Sequence, residues 1–143
     1  MGENEYEFLN NVYRNAEMGR DGLYFVLRKT DDPAFRKLVE TQLMEYQSLM
    51  DDTEEQMRAA GKEPRPTAPI AKAMVRMTAQ RKAIADNSPS ALADMLIQGS
   101  SMGVTKVAKE ISRFTELSQQ SMELAHRLKK TEENNIEQMK QYL

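Results

Sequence analysis

The fold is decided by two stretches that share one pattern, QLMEYQSLMDDTEEQ at residues 42–56 and QSMELAHRLKKTEEN at residues 120–134. Six residues recur between them at one constant offset: Gln42, Met44, Glu45, Thr53, Glu54 and Glu55 as Gln120, Met122, Glu123, Thr131, Glu132 and Glu133. Upstream, a second constant offset relates five more: Val12, Met18, Gly19, Leu23 and Leu27 to Leu96, Met102, Gly103, Val107 and Ile111. A repeat of this length indicates a helical hairpin used twice, in which the two hairpins bury each other's apolar faces.

The composition is typical of one helical domain without a strongly charged face. The chain has 143 residues, of which 40% are hydrophobic and 29% are charged. It is poor in aromatic residues and rich in Met, Leu, Ala, Gln, Glu, Lys and Arg, which lose little rotamer freedom in a helix. The net charge of −2 comes from interspersed charges of both signs. We therefore expect neither nucleic acid nor a membrane as a partner.

The cysteine count and the N-terminus bear on chemistry and location. The chain contains no cysteine, which excludes disulfides, thiolate nucleophiles and sulfur-ligated metals. Glu3, Glu5 and Glu7 stand where a secretory signal would carry Lys or Arg. No apolar run reaches the length of a signal core or of a membrane span. These features predict a cytoplasmic protein.

The first predicted hairpin covers residues 4–60. Apolar and small residues recur at helical spacing on both sides of the sequence TDDP at residues 30–33, which predicts two helices with a tight turn between them. Asp32 can cap the second helix, and Pro33 suits its first position, where a backbone N–H would have no helical partner. Gly61 is the kind of residue that ends a helix.

Residues 61–87 are predicted to cross from one hairpin to the other. They begin with a loop that holds three of the five prolines, which excludes a continuing helix, and they end in a short additional helix. The second hairpin covers residues 89–143 and begins after Ser88, which can cap its first helix. No glycine or proline marks the turn of this hairpin, but the repeat predicts a break near Thr115.

Two glycines and the methionines have both a structural and a functional interpretation. Gly19 and Gly103 occupy equivalent places in the middle of predicted helices, where glycine costs about 1 kcal/mol relative to alanine. Close helix approach would offset that cost, and the alternative is a ligand cavity lined by the missing side chains. The eleven methionines fit flexible core packing. Their alternative role is an apolar surface for another subunit, with Met74 and Met77 on the additional helix.

The fourth predicted helix carries a Glu-x-x-His pattern. It reads ELAH at residues 123–126, and the repeat aligns it with EYQS at residues 45–48. Together with the duplicated hairpin and the long crossover, this pattern resembles the ferritin-like superfamily over nearly the whole chain. The resemblance implies an antiparallel four-helix bundle in which each hairpin supplies one Glu and one Glu-x-x-His to a di-metal centre. Ser48 stands where the second histidine would be.

The orientation of these residues argues against a complete di-metal centre. Each residue turns a helix by about 100°, which places Glu45, Glu123 and His126 away from the apolar stripes of their helices. In the first helix of each hairpin, the stripe holds apolar residues and glycine, with Glu17 and Asp94 at the flanks. The sequence therefore predicts that no carboxylate points into the bundle.

Two acidic stretches, residues 51–55 and 131–133, are interpreted as solvated helix faces. We predict no catalytic, cofactor-binding or metal-binding residues. The predicted fold is an all-α, ferritin-like antiparallel four-helix bundle that forms one domain over residues 1–143. In fold, and in lacking a complete di-metal site, the chain is similar to small uncharacterised bacterial ferritin-like proteins.

The predicted function is that of a non-enzymatic bacterial structural or interaction protein. We expect a homo-oligomer, with a dimer favoured, and the sequence identifies no other protein partner. The alternative is a metal-binding or di-iron oxidoreductase protein that uses Glu45, Glu123 and His126. The iron and manganese content of protein purified without chelator distinguishes these two hypotheses.

Overall fold

A computed structural model of the protein describes residues 1–68 and 86–143. The helices are α1 (Glu3–Leu27), α2 (Pro33–Ala59), α3 (Pro89–Arg113) and α4 (Gln119–Met139), followed by a short 3₁₀ helix at Lys140–Tyr142. Neither described range contains a strand, and the all-α prediction is confirmed. The predicted additional helix, with Met74 and Met77, falls in residues 69–85, outside the described residues.

The helix ends that were predicted around α2 are confirmed. Asp32 caps its N-terminus, because its Oδ1 accepts a hydrogen bond of 2.8 Å from the Phe35 N–H, and proline follows the cap. At the other end, Gly61 adopts a φ of 74°, in the left-handed region that favours glycine. The N–H groups of Gly61 and Lys62 then donate to the Arg58 and Met57 carbonyls, which satisfies two carbonyls at the helix end.

The break between α3 and α4 is also confirmed. Phe114 leaves the helix in an extended conformation, Glu116 takes a φ of 60°, and the Ser118 side chain caps α4 by accepting from the Ser121 N–H at 3.2 Å. A left-handed conformation costs a residue other than glycine about 1 kcal/mol. Burial of Phe114, whose ring stands edge-on to Phe8 at 5.6 Å between centroids, compensates for that cost.

The two hairpins pack face to face. α1 lies along α2, α3 lies along α4, and α1 also packs on α3. At the end opposite the Phe8 pair, the rings of Phe35 and Tyr142 meet edge-on at 4.9 Å. The largest apolar side chains with almost no exposure come from all four helices: Phe8, Leu9, Phe35, Leu49, Met57, Leu92, Leu128 and Met139.

The described part of the crossover lies on α1. The Arg65 N–H donates to Asn10 Oδ1 at 2.7 Å, and the Thr67 N–H donates to Glu17 Oε1 at 2.8 Å. Glu17 is therefore only 3% exposed, although the sequence predicted a carboxylate at the flank of its helix. The predicted position at the flank of α1 was right, but the crossover loop covers it. The pattern of one helix contains no information about a loop from later in the chain that packs on it.

Candidate functional site

The residues of the predicted Glu-x-x-His pattern do not meet. Glu123 and His126 are exposed on α4, as predicted, while Glu45 on α2 is half-buried. Glu45 and Glu123 line two different surface grooves. Ser48, which replaces the second histidine, accepts a hydrogen bond of 2.9 Å from Arg127. Within residues 1–68 and 86–143, no three His, Cys, Asp or Glu side chains are placed to hold a metal ion together.

A buried polar cluster occupies the centre of the bundle instead. Glu132 on α4 and Tyr46 on α2 are each only 2% exposed, so the prediction that residues 131–133 form a solvated face is wrong for Glu132. The prediction that no carboxylate points into the bundle is wrong for the same reason. The buried stripe of α4 runs through Leu128, Glu132 and Asn135, so that Glu132 replaces an apolar residue in the helical period.

The two mid-helix glycines make room for these two side chains. A Cβ added at Gly19 would lie 2.6 Å from Tyr46 Cζ, and one added at Gly103 would overlap the Glu132 carboxylate and lie 2.9 Å from Asn15 Oδ1. The expectation that two helices approach closely at Gly19 and Gly103 is therefore wrong, because side chains rather than helix backbones occupy the space beside these glycines. The space that could have formed a ligand cavity there is filled by the protein itself.

Hydrogen bonds connect the cluster to all four helices. The Tyr46 hydroxyl donates to Glu132 Oε2 at 3.4 Å, and Ser100 of α3 is a further hydrogen-bonding neighbour of that hydroxyl. Asn15 of α1 donates from Nδ2 to the Gly103 carbonyl at 2.9 Å. In the amide orientation that its neighbours require, with the side-chain oxygen and nitrogen interchanged, Asn135 donates from Nδ2 to Glu45 Oε2 at 3.1 Å. The cluster therefore extends from the bundle centre to the half-buried Glu45.

Electrostatics favour the neutral form of the central carboxyl. Burial raises the pKa of Glu132 to about 8, and the Tyr46 hydrogen bond and the positive charge of Lys106 offset only part of this effect. Burial and the neighbouring Glu132 also raise the pKa of Tyr46. Among the described residues, Glu132 Oε1 has no hydrogen-bond partner. An ionised carboxylate at this position would be desolvated and incompletely paired, so the site holds a proton at neutral pH.

Desolvation also acts on Glu45. Its pKa is raised by burial alone, and it lines a groove together with Thr41, Met44, Ser48, Arg127 and Thr131. The sequence identified Glu45 through the Glu-x-x-His resemblance but missed Glu132, which lies within a Glu-Glu pair that is typical of a solvated helix. The signal that could have found Glu132 is its place four residues after Leu128 on the stripe that begins at Leu124.

The fold and the site define a four-helix bundle with a buried polar centre. Comparison with protein-family models and with curated proteins finds no match. The structure is similar to the crystal structure of a DUF305 fragment from Deinococcus radiodurans, with a TM-score of 0.72, 14% sequence identity, and coverage of 97% of this chain and 94% of that chain. At this identity the similarity shows a shared helical fold and nothing about shared chemistry. The ferritin-like assignment in its finer form stays a prediction.

The described ranges contain four long helices. None of them combines the length and the apolar character that crossing a bilayer demands.

Our first prediction concerns Gly19. Gly19→Ala should lower the free energy of unfolding by about 1 to 3 kcal/mol, because the new methyl group overlaps the rigid, buried Tyr46 ring. Gly22→Ala on the same helix is the matched control. Its Cβ would meet only Leu96 Cδ2 at 3.9 Å, so it should stabilise by about 0.5 to 1 kcal/mol through helix propensity. Urea unfolding of both variants is the measurement, and equal shifts would contradict the role assigned to Gly19.

Our second prediction concerns the pH dependence of stability. The folded pKa of Glu132, about 8, lies above its ordinary value of 4.5. Protonated Glu132 therefore contributes fully to the free energy of unfolding below pH 4.5. This contribution is lost as pH rises from there through 8, with a slope of at most about 1.4 kcal/mol per pH unit. Glu132→Gln should remove this loss, because glutamine keeps the shape of the neutral acid.

The measurement is the melting temperature of wild type and Glu132→Gln between pH 5 and pH 9. The variant should melt at a higher temperature at pH 8, and the two curves should converge towards pH 5. Glu133→Gln, which changes an exposed neighbour on the same helix, is the control and should follow the wild type. Parallel curves for wild type and Glu132→Gln would show that Glu132 does not retain its proton in the fold.

Proposed function

We propose that this chain is a non-enzymatic structural or interaction protein that self-associates, with a dimer as the expected state. The observation that carries this proposal is the filling of the bundle centre by Tyr46 against Gly19 and by Glu132 against Gly103. In a bundle of this kind, a cofactor or metal site is built in the core from side chains on facing helices. Here packed side chains fill the core positions where such a site would lie. The outer surface is therefore the part of the molecule that can bind a partner.

The surface beside the Glu45 groove supports self-association. Met44 is 71% exposed and lines that groove between α2 and α4. An exposed, flexible thioether side chain adapts to a second surface, and a two-fold dimer would bring the same patch of each copy together. We expect the protein to act in the bacterial cytoplasm.

Our third prediction tests this surface. Met44→Lys should weaken the dimer at least tenfold in Kd, which corresponds to about 1.4 kcal/mol, because it places a charge in a desolvated contact. Met102→Lys is the matched control, since Met102 is a similarly exposed methionine, 63% exposed, but lies on α3. Sedimentation equilibrium of the three proteins is the measurement. A monomeric wild type at all concentrations, or equal weakening by both substitutions, would contradict the proposal.

Our fourth prediction distinguishes the proposed function from the alternative. That alternative is metal binding or di-iron oxidoreductase chemistry through Glu45, Glu123 and His126. Protein purified without chelator should contain iron and manganese well below one ion per chain. His126→Ala should change the free energy of unfolding by less than about 0.5 kcal/mol, because His126 is exposed.

The same comparison is repeated with added metal. Melting temperatures of wild type and His126→Ala should not respond to iron or manganese. A rise that occurs in the wild type and vanishes in the variant would favour the alternative, since a ligand that binds the folded state stabilises it.

A further inference from the structure

The contact between α2 and α4 differs from the other helix contacts in the bundle. We call it the α2–α4 seam and define it by Gln42, Tyr46 and Gln56 on α2 with Ser121, Glu132 and Asn135 on α4. The backbones of these two helices approach each other over a shorter stretch than those of α1 and α2 or of α3 and α4. The two surface grooves described above both follow this seam. The seam is therefore packed more loosely than the contact between α1 and α3, which also joins the two hairpins.

Polar bonds hold much of the seam together. Gln42 Nε2 donates to Gln138 Oε1 at 3.0 Å, and Gln56 Nε2 donates to Ser121 Oγ at 2.6 Å. Between these two contacts lies the bond from Tyr46 to Glu132. A buried polar contact stabilises only while its partners are matched, and an unmatched partner destabilises by more than a matched pair contributes. The state of the Glu132 carboxyl therefore directly affects the middle of the seam.

The opposite side of the bundle is held differently. Asn11 of α1 donates to Glu110 of α3 at 3.0 Å, and Asn15 donates to the Gly103 carbonyl at 2.9 Å. These bonds join the two hairpins along α1 and α3, and neither of them involves the carboxyl of Glu132. The contact between α1 and α3 therefore does not depend directly on the state of the Glu132 carboxyl.

We propose that Glu132 is a proton-dependent latch on the α2–α4 seam. With the proton bound, the seam is closed and the cluster is neutral. Loss of the proton leaves a charge beside Tyr46 and an Oε1 atom that no described residue contacts by a hydrogen bond. Water reaches this charge by the shortest polar route, past Asn135 and Glu45 to the groove, and the seam opens along that route.

The surroundings of Glu132 are consistent with a single titrating group. α1 presents the uncharged Asn15, α2 presents Tyr46, and α3 presents Gly103 together with the positive charge of Lys106. On α4 itself the nearest member of the cluster is the uncharged Asn135. Glu45 is the other carboxyl in the network, and Asn135 stands between it and the bundle centre.

Our fifth prediction uses the absence of cysteine in the chain, because one introduced thiol then reports on one place. Ser121→Cys puts a reporter into the seam, where Ser121 is fully buried, and Ala93→Cys puts an equally buried control into α3. Thiol-labelling rates are measured from pH 6.5 to pH 9 and divided by the rates of the same variant in denaturant at the same pH. This division removes the titration of the thiol itself.

The exposed fraction of the Ser121→Cys reporter should rise at least about tenfold over this range, since one released proton allows up to a tenfold change per pH unit. The Ala93→Cys reporter should rise only as far as global unfolding does, so its exposed fraction should stay well below that of Ser121→Cys at every pH. Adding Glu132→Gln should abolish the rise, and adding Glu133→Gln should not. Equal exposed fractions at both reporters, or a rise that persists with Glu132→Gln, would overturn the proposal. The comparison of the two reporters in the otherwise wild-type chain stands even where Glu132→Gln fails to fold.

Discussion

The constraint on which this bundle depends is the need to keep a carboxyl group neutral and packed at its centre. Glu132 cannot be moved without disturbing its hydrogen bond with Tyr46, and neither Glu132 nor Tyr46 would fit if Gly103 and Gly19 carried side chains. Each glycine weakens its own helix by about 1 kcal/mol. That loss is compensated by the burial of a large tyrosine ring and by hydrogen bonds that reach all four helices.

The sequence repeat accounts for the arrangement of the helices but not for the residues at the centre of the bundle. The repeat equates Tyr46 with Leu124 and Glu132 with Glu54, and Glu54 is only half-buried and forms an ion pair of 2.9 Å with Arg58. Equivalent glycines in the two hairpins therefore receive different side chains, an aromatic ring in one and a carboxyl in the other. An asymmetric centre of this kind is poorly suited to a symmetric pair of metal ions, and it supports the proposed structural or interaction role.

The polar cluster at the centre of the bundle also extends to the protein surface. The polar cluster reaches the groove at Glu45 through Asn135, so the proposed latch and this groove lie on the same contact between α2 and α4. The neighbouring surface carries the exposed Met44. Self-association at this surface would cover the groove and shield the cluster from water. The proposed dimer and the proposed latch would then act on the same part of the molecule, although each depends on different residues.

The sequence by itself determined the helices, their caps and their pairing. These follow from local physical chemistry: the cap at Asp32, the glycine after α2, and the repeat that predicted the break near Thr115 without any glycine or proline there. Only the tertiary structure decided the burial of Glu132 and Glu17. Burial depends on what packs from elsewhere in the chain, namely Tyr46 and Gly103 in one case and the loop at Thr67 in the other. A helical period specifies which residues share a face, but it does not specify how that face meets its neighbours.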